Sequence, residues 1–265
     1  MPDPDPSLRT DLALLAEAAE AAGRIALHFW RRNPEAWDKP EGAGPVTEAD
    51  LAVDRMLREE LRLARPHYGW LSEESEDDPA RLEAERVFIV DPIDGTRAFM
   101  AGEETWSHSL AVAERGRVVA GVVRLPVTGA VYAAAAAGPA TLNGRPLAVS
   151  RRAALAEATL LASGAAMRPE HWVGGQAPPV RRVFRASIAY RLGLVAEGRF
   201  DAMLATGGTW EWDIAAGSLI VARAGGRVTD RAGAEIAFNA PLPRTRGVIA
   251  APPLLHAALR ANLAP

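Results

Sequence analysis

Apolar residues return along this chain in two rhythms, one of three to four residues and one of short unbroken or alternating runs. From Ser7 to Arg32, Leu8, Leu12, Leu15, Ala19, Ala22, Ala26 and Phe29 recur at helical steps. They predict an amphipathic helix with Ser7 or Thr10 as its cap and Asn33-Pro34 as its stop. Trp37 to Pro45 is rich in Gly and Pro and reads as a mobile loop carrying Lys39. A second helix is expected after Thr47, a natural N-cap with Asp50 three residues on in the manner of a capping box. Leu51, Met56 or Leu57, and Leu61 give it an apolar face, and Arg65-Pro66 ends it.

The strand rhythm begins with Trp70-Leu71-Ser72 and is strongest at Val87-Phe88-Ile89-Val90, an unbroken run suited to a strand buried on both faces. Asp91-Pro92-Ile93-Asp94-Gly95 stops that run: the proline lacks an N–H and the glycine tolerates unusual dihedrals. A tight turn is expected there, holding Asp91 and Asp94 together. Ser107 to Ala113, Val118 to Leu125 and Ala130 to Ala135 read as further strands, and Asn143-Gly144 is a hairpin dipeptide. Strands joined this closely imply an antiparallel sheet with the early helices packed on it.

After about Ser150 the pattern alternates. Ser187 to Glu197 reads as a helix and Phe200 to Ala205 as a strand. Trp210-Glu211-Trp212-Asp213 then opens a helix, Ile214 to Ala224, closed by Gly225-Gly226. Arg227 to Thr229, Gly247 to Ala250 and a last helix from Pro252 to Leu263 follow. The expectation is an α/β (α+β) chain in two halves, residues 1–148 and 149–265.

Composition narrows the chemistry. With 265 residues, 49% hydrophobic and 24% charged, the chain can bury a sizeable core. Net charge is −3 without a basic tract, so no partner of nucleic-acid polymer type is expected. There is no cysteine, which removes disulfide and thiolate chemistry and makes a cytoplasmic address the default. The start, Met1-Pro2-Asp3-Pro4-Asp5-Pro6, is the opposite of a signal peptide, and no apolar run suggests a membrane span. His28, His67, His108, His171 and His256 show no ligand spacing, so any metal would be a hard, oxygen-liganded ion.

The candidate chemistry lies in carboxylates, each with a bland alternative. Asp91 and Asp94 repel each other at close range, and a divalent cation is the simplest neutraliser, but the pair also suits turn capping. Asp50 suits helix capping, Glu73 and Glu74 a solvated acidic loop, and Asp213 a helix N-terminus. Lys39 suits a solvated loop.

Taken in order, Thr47-Glu48-Ala49-Asp50, Ser72-Glu73-Glu74-Ser75, Asp91-Pro92-Ile93-Asp94-Gly95-Thr96 and Trp212-Asp213-Ile214-Ala215-Ala216-Gly217 resemble the inositol monophosphatase superfamily of metal-dependent, lithium-sensitive phosphatases. The resemblance runs from Lys39 to about Asp230. It implies a layered α/β/α/β/α sandwich of the sugar-phosphatase type, with a large antiparallel sheet in the N-terminal half and a smaller mixed sheet in the other. Glu73, Asp91 and the Ile93 carbonyl would hold one Mg²⁺; Asp91, Asp94 and Asp213 a second; Glu73, through waters, a weaker third. Gly95 and Thr96 would offer backbone N–H groups to phosphate, with Lys39 nearby. Asp50 and Thr96 would orient the water that attacks phosphorus, and Ser187 would sit where the substrate-contacting helix begins. The implied substrate is a small phosphate ester, and such proteins are often homodimers.

Some positions depart from the pattern. Ser72 stands for a usual glycine. Arg97-Ala98 replaces the threonine-asparagine of inositol phosphatases and the lysine of bisphosphate nucleotidases. Thr206 stands where inositol phosphatases carry a glutamate. Glu211-Trp212-Asp213 is similar to the bacterial nucleotidase branch, and a basic Arg97 suits a second phosphate, so adenosine 3′,5′-bisphosphate is the favoured substrate, ahead of inositol 1-phosphate and fructose 1,6-bisphosphate. Two rivals stand against this. Haloacid-dehalogenase phosphatases need aspartates two apart, whereas Asp91 and Asp94 are three apart. A non-enzymatic fold binding cation for stability alone would not need Asp50, Glu73, Asp91, Asp94 and Asp213 all intact.

Overall fold

Alternation along one strand builds the layers. In the computed structural model β4 (Arg86–Asp94) is buried on both faces: Phe88 and Val90 join a core with the first two helices, while Val87 and Ile89 join a second core on the other side. The residues described are 6–39 and 44–264; the proline-rich start, residues 40–43 of the Gly/Pro stretch and residue 265 lie outside them. The two helices are α1 (Pro6–Phe29) and α2 (Glu48–Ala64), which bury Leu15, Ala19, Ala22 and Ala26, and Val53, Leu57 and Leu61. Thr47 caps α2 through the expected capping box with Asp50.

The first sheet runs in the order β3 (Gly69–Ser72), β4, β5 (Ser107–Glu114), β6 (Arg117–Leu125), β7 (Ala130–Ala135), β8 (Thr141–Leu142) and β9 (Arg145–Pro146). It is antiparallel except at its edge, where β3 pairs parallel to β4. Asn143 and Gly144, both at positive φ, turn β8 into β9.

On the far face lie α4 (Ile188–Ala196) and α5 (Glu211–Arg223). Beyond them is a mixed sheet of β10 (Thr159–Ala162), β11 (Arg181–Val183), β12 (Ala202–Ala205), β14 (Arg227–Thr229) and β16 (Val248–Ala251), ordered β11-β10-β12-β16-β14. Met203, Val248 and Ala250 face α4 and α5, whereas Leu204, Ile249 and Ala251 face α6 (Pro253–Asn262). The result is the five-layered α/β/α/β/α sandwich. Its central core draws on both sheets, from Ile89 and Ala111 to Leu161 and Met203. Helix α5 lies directly on the first sheet: a Cβ at Gly121 of β6 would stand 2.9 Å from the Ala216 Cα. A two-stranded ribbon of β13 (Thr209–Trp210) and β15 (Arg244–Thr245) leads into α5.

Three local expectations are corrected. The Trp37 to Pro45 stretch is no mere loop, because β1 (Ala36–Asp38) and β2 (Pro45–Thr47) pair across it as a hairpin. The main strand does not stop at Val90: Asp91 pairs with Ser109 and Asp94 with Ser107. Three steps on one strand face two on the other, so Pro92 falls in the irregularity, where its missing N–H removes no ladder bond. Finally, α5 begins at Glu211, placing Asp213 within the first turn, and Trp210 caps it without a side-chain bond.

Candidate active site

Parallel pairing places two acids together. Ser72 lies opposite Val90, so the next residues, Glu73 and Asp91, leave the same end of the sheet, and the Glu73 N–H donates to the Val90 carbonyl at 3.3 Å. The third acid comes from across the core. Ser109, the cross-strand partner of Asp91, donates from Oγ to the Trp212 carbonyl at 2.9 Å, which seats the first turn of α5 and with it Asp213. Glu73, Asp91 and Asp213 each bring a carboxylate oxygen within 4.8 Å of the others.

Such a cluster is costly without a counter-charge. Burial raises the Asp91 pKa well above the carboxylate range, and the charges of Glu73, Asp94 and Asp213 raise it further. Asp213 is raised likewise, by burial and then by Asp94 and Glu73. Asp91 Oδ1 is buried with no hydrogen-bond partner. An all-oxygen donor set with one orphaned buried oxygen fits a hard divalent cation. The cation in place at the rim is Lys39, whose Nζ lies 2.7 Å from Glu73 Oε1 and 2.6 Å from Glu74 Oε1, touching neither Asp91 nor Asp213. Glu74 is pushed up to about 7 by burial and by Glu73.

Asp50 serves two partners. Its Oδ2 accepts from the Thr47 N–H at 2.9 Å and the Thr47 hydroxyl at 2.6 Å, completing the cap, while Oδ1 faces the Thr96 hydroxyl at 3.4 Å. That hydroxyl also lies 3.2 Å from the Ile93 carbonyl. Burial raises Asp50 to about 6, against the pull of the Thr47 bonds. Capping and a place beside Thr96 are thus compatible roles of one side chain.

Asp94 is divided in the same way. Its Oδ2 accepts from the Ser187 hydroxyl and the Ala189 N–H, both at 2.6 Å, at the start of α4. Ser187 is fully buried, its Oγ also meeting Ser107 and the Tyr190 N–H. Ser187, expected at the substrate-contacting helix start, holds Asp94 there, and Ala186 and Phe184 line the cavity beside it. This cavity, about 350 Å³, is lined by Glu73, Asp91, Asp94 and Asp213 together with Ile93 to Arg97. Gly95 takes φ 95°, a left-handed conformation that turns the chain from β4 into the short helix α3 (Thr96–Met100). Thr206 lines a separate cavity.

Two buried residues went unnoticed in the sequence. Asp54, one turn along α2 from Asp50, accepts from the Ser72 hydroxyl at 2.5 Å and the Ser75 hydroxyl at 2.7 Å, clamping the loop that carries Glu73. Its i,i+4 spacing from Asp50 was the available signal. Arg191 of α4 donates to the Arg185 carbonyl at 2.6 Å and the Ala186 carbonyl at 3.2 Å, lies over the Phe184 ring at 4.7 Å, and its charge favours ionised Asp94. As the lone charge in an apolar helix it stood out only by contrast.

With this geometry in place, comparison with known proteins is informative. The model of the inositol monophosphatase family matches residues 7–264. An inositol-1-monophosphatase of Rhizobium meliloti is 39% identical over 202 residues, covering 71% of this chain and 73% of the relative. A 3′-phosphoadenosine 5′-phosphate phosphatase of Mycobacterium leprae is 34% identical over 236 residues, covering 87% of this chain and 84% of the relative. The solved Thermotoga maritima IMPase superposes with a TM-score of 0.82 at 30% identity, over 96% of this chain and 95% of that one. The family match and these relatives define a phosphatase of the phosphoric monoester hydrolase class. The chain belongs to the inositol monophosphatase family. Among the described residues, no helix is long and apolar enough to cross a membrane.

Proposed function

We propose that this chain is a Mg²⁺-dependent phosphomonoesterase that hydrolyses adenosine 3′,5′-bisphosphate to AMP and phosphate. The observation that carries the phosphatase reading is the convergence of Glu73, Asp91 and Asp213 within 4.8 Å around the unpartnered Asp91 oxygen. Those three, the Ile93 carbonyl and the remaining oxygen of Asp94 are the groups that would hold the ions. Bound there, Mg²⁺ would neutralise phosphate charge and would make water acidic enough to be deprotonated near neutral pH.

The chain's own residues supply the rest. Thr96 presents a hydroxyl between the Ile93 carbonyl and Asp50, so it can accept a water's proton while passing its own to Asp50 Oδ1. With a pKa of about 6, Asp50 is ionised at neutral pH and still basic enough for that task. Gly95 and Thr96 line the cavity, where their backbone N–H groups would meet a bound phosphate. Lys39, paired with Glu73 and Glu74 at the rim, would turn to a phosphate oxygen once those acids are otherwise neutralised.

Arg97, on the cavity wall, supports a substrate with a second phosphate, which a guanidinium can bind in a forked geometry. The likeness to the Mycobacterium leprae phosphatase agrees with this. A second reading, inositol 1-phosphate, is favoured by the 39% identical relative. Phosphate release from adenosine 3′,5′-bisphosphate, inositol 1-phosphate and fructose 1,6-bisphosphate, measured side by side with Mg²⁺, separates them. Arg97→Gln is expected to raise KM for the bisphosphonucleoside about tenfold while leaving inositol 1-phosphate unchanged. Faster turnover of inositol 1-phosphate would reverse the assignment, and no release from any ester would end the enzymatic reading.

A further inference from the structure

A second cavity, of about 710 Å³, carries the opposite charge. Four arginines line it: Arg231 after β14, Arg244 in β15, Arg246 just beyond, and Arg260 in α6. The chain as a whole is at −3. Yet among the described residues none of these four forms a salt bridge with a carboxylate.

Contacts position Arg231, Arg244 and Arg260 without neutralising them. Arg260 Nε donates to the Ala232 carbonyl at 2.8 Å, and Arg231 Nη2 to the Ala264 carbonyl at 3.1 Å. Arg231 Nε is buried and has no hydrogen-bond partner. Arg244 lies over the Trp210 ring at 5.2 Å, and a Cβ at Gly208 would stand 2.3 Å from its Nε, so the missing side chain there leaves the guanidinium its place. Arg231 and Arg260 are half-buried and Arg244 and Arg246 exposed, so four positive charges converge on one concavity open to an anion from outside. Arginine is also the residue best shaped to grip phosphate oxygens in pairs.

Size and lining narrow the ligand. Small-molecule sites fall between about 300 and 1,000 Å³. Leu242, Ala232 and Ala264 give the basin apolar surface between the charges, suited to an organic body. We propose that this basin binds a small organic molecule bearing two or more phosphate groups. Among the described residues no carboxylate lines it to hold a metal or take up a proton, so the proposed role is to hold the ligand and not to hydrolyse it.

The test is titration calorimetry of the full chain with ATP as probe, in EDTA, where the carboxylate site lacks cations and repels anions. ATP is expected to bind wild type and Asp91→Asn equally. The double variant Arg246→Gln/Arg260→Gln should weaken binding at least tenfold, whereas Arg55→Gln, an exposed arginine on α2, should leave it unchanged. Absence of ATP binding, or undiminished binding by the double variant with circular dichroism matching wild type, overturns the proposal. So does tighter binding of a single-stranded RNA oligonucleotide through the same arginines. Because the readout is binding without metal, its failure leaves the phosphatase reading untouched, and loss of phosphatase activity would not mimic it.

Discussion

Asp94 Oδ2 accepts the Ala189 N–H at 2.6 Å, joining the irregular end of β4 to the first turn of α4. An acid of the cavity wall thereby also binds the first turn of a helix from the other half of the chain, beside its N-cap Ser187. Asp94→Ala should strand the Ala189 N–H, costing about 1–3 kcal/mol for that buried group left unpaired, while the Ser187 hydroxyl keeps Ser107 and the Tyr190 N–H. Urea unfolding in EDTA measures this apart from any metal effect. Unchanged stability would show that the tie contributes nothing.

Asp91 behaves oppositely. Asp91→Asn should abolish phosphate release, yet stabilise the metal-free protein at pH 8 by about 1–3 kcal/mol, since it removes one charge from a buried like-charged cluster. Thermal unfolding in EDTA decides the matter, and a less stable variant would contradict the electrostatic account.

The same cluster fixes a pH dependence. Asp91 and Asp213 are held well above the carboxylate range by burial, Asp50 and Asp94 at about 6, and Glu74 at about 7. A carboxyl whose pKa is higher folded than unfolded contributes stability at low pH and loses it as pH rises through the folded value. The metal-free chain should therefore melt at a lower temperature at pH 8.5 than at pH 6, and saturating Mg²⁺ should flatten that slope. A melting temperature that climbs with pH in EDTA would sink this reading.

Asp50 can be dissected by chemistry. Asn keeps an oxygen for the Thr47 N–H, so Asp50→Asn should stay within about 1 kcal/mol of wild type while kcat falls about 10²–10⁴-fold. Thr47→Ala should cost about 1 kcal/mol of cap and far less activity. Equal activity losses in the two variants would assign Asp50 to capping alone.

Asp54→Ala frees Ser72 and Ser75 and loosens the loop bearing Glu73. The Mg²⁺ concentration giving half-maximal activity should rise about 10–100-fold, with kcat at saturating metal nearly retained. A kcat loss with unchanged metal dependence would argue for a different role.

What the sequence disclosed was local chemistry. The Thr47–Asp50 cap, the Asn143-Gly144 turn and the apolar run into Asp91 need only neighbouring residues; the first two formed as read, and the run formed a strand that continues to Asp94. Hidden features depended on distant partners. Pro92 inside β4 is tolerated because Asp91 and Asp94 pair with Ser109 and Ser107 out of step, a register no local pattern states. The hairpin around Lys39 arises from pairing of Ala36–Asp38 with Pro45–Thr47 despite strand-poor composition. Ser187 could be placed at the helix start, but its burial against Asp94 came from a residue 93 positions away.

The hydrogen atom that stands for a side chain at Gly121 governs how near α5 comes to β6. Asp213 rides on that helix three residues before Ala216, so any bulk at Gly121 must lift a carboxylate away from Glu73 and Asp91. Mg²⁺ tolerates little departure from octahedral ligand spacing. On the proposed function, the tuning of this centre is thus lodged in a strand position that would touch neither ion nor ester, and an inactive variant there would be mistaken for a damaged catalyst although every proposed reacting group survived.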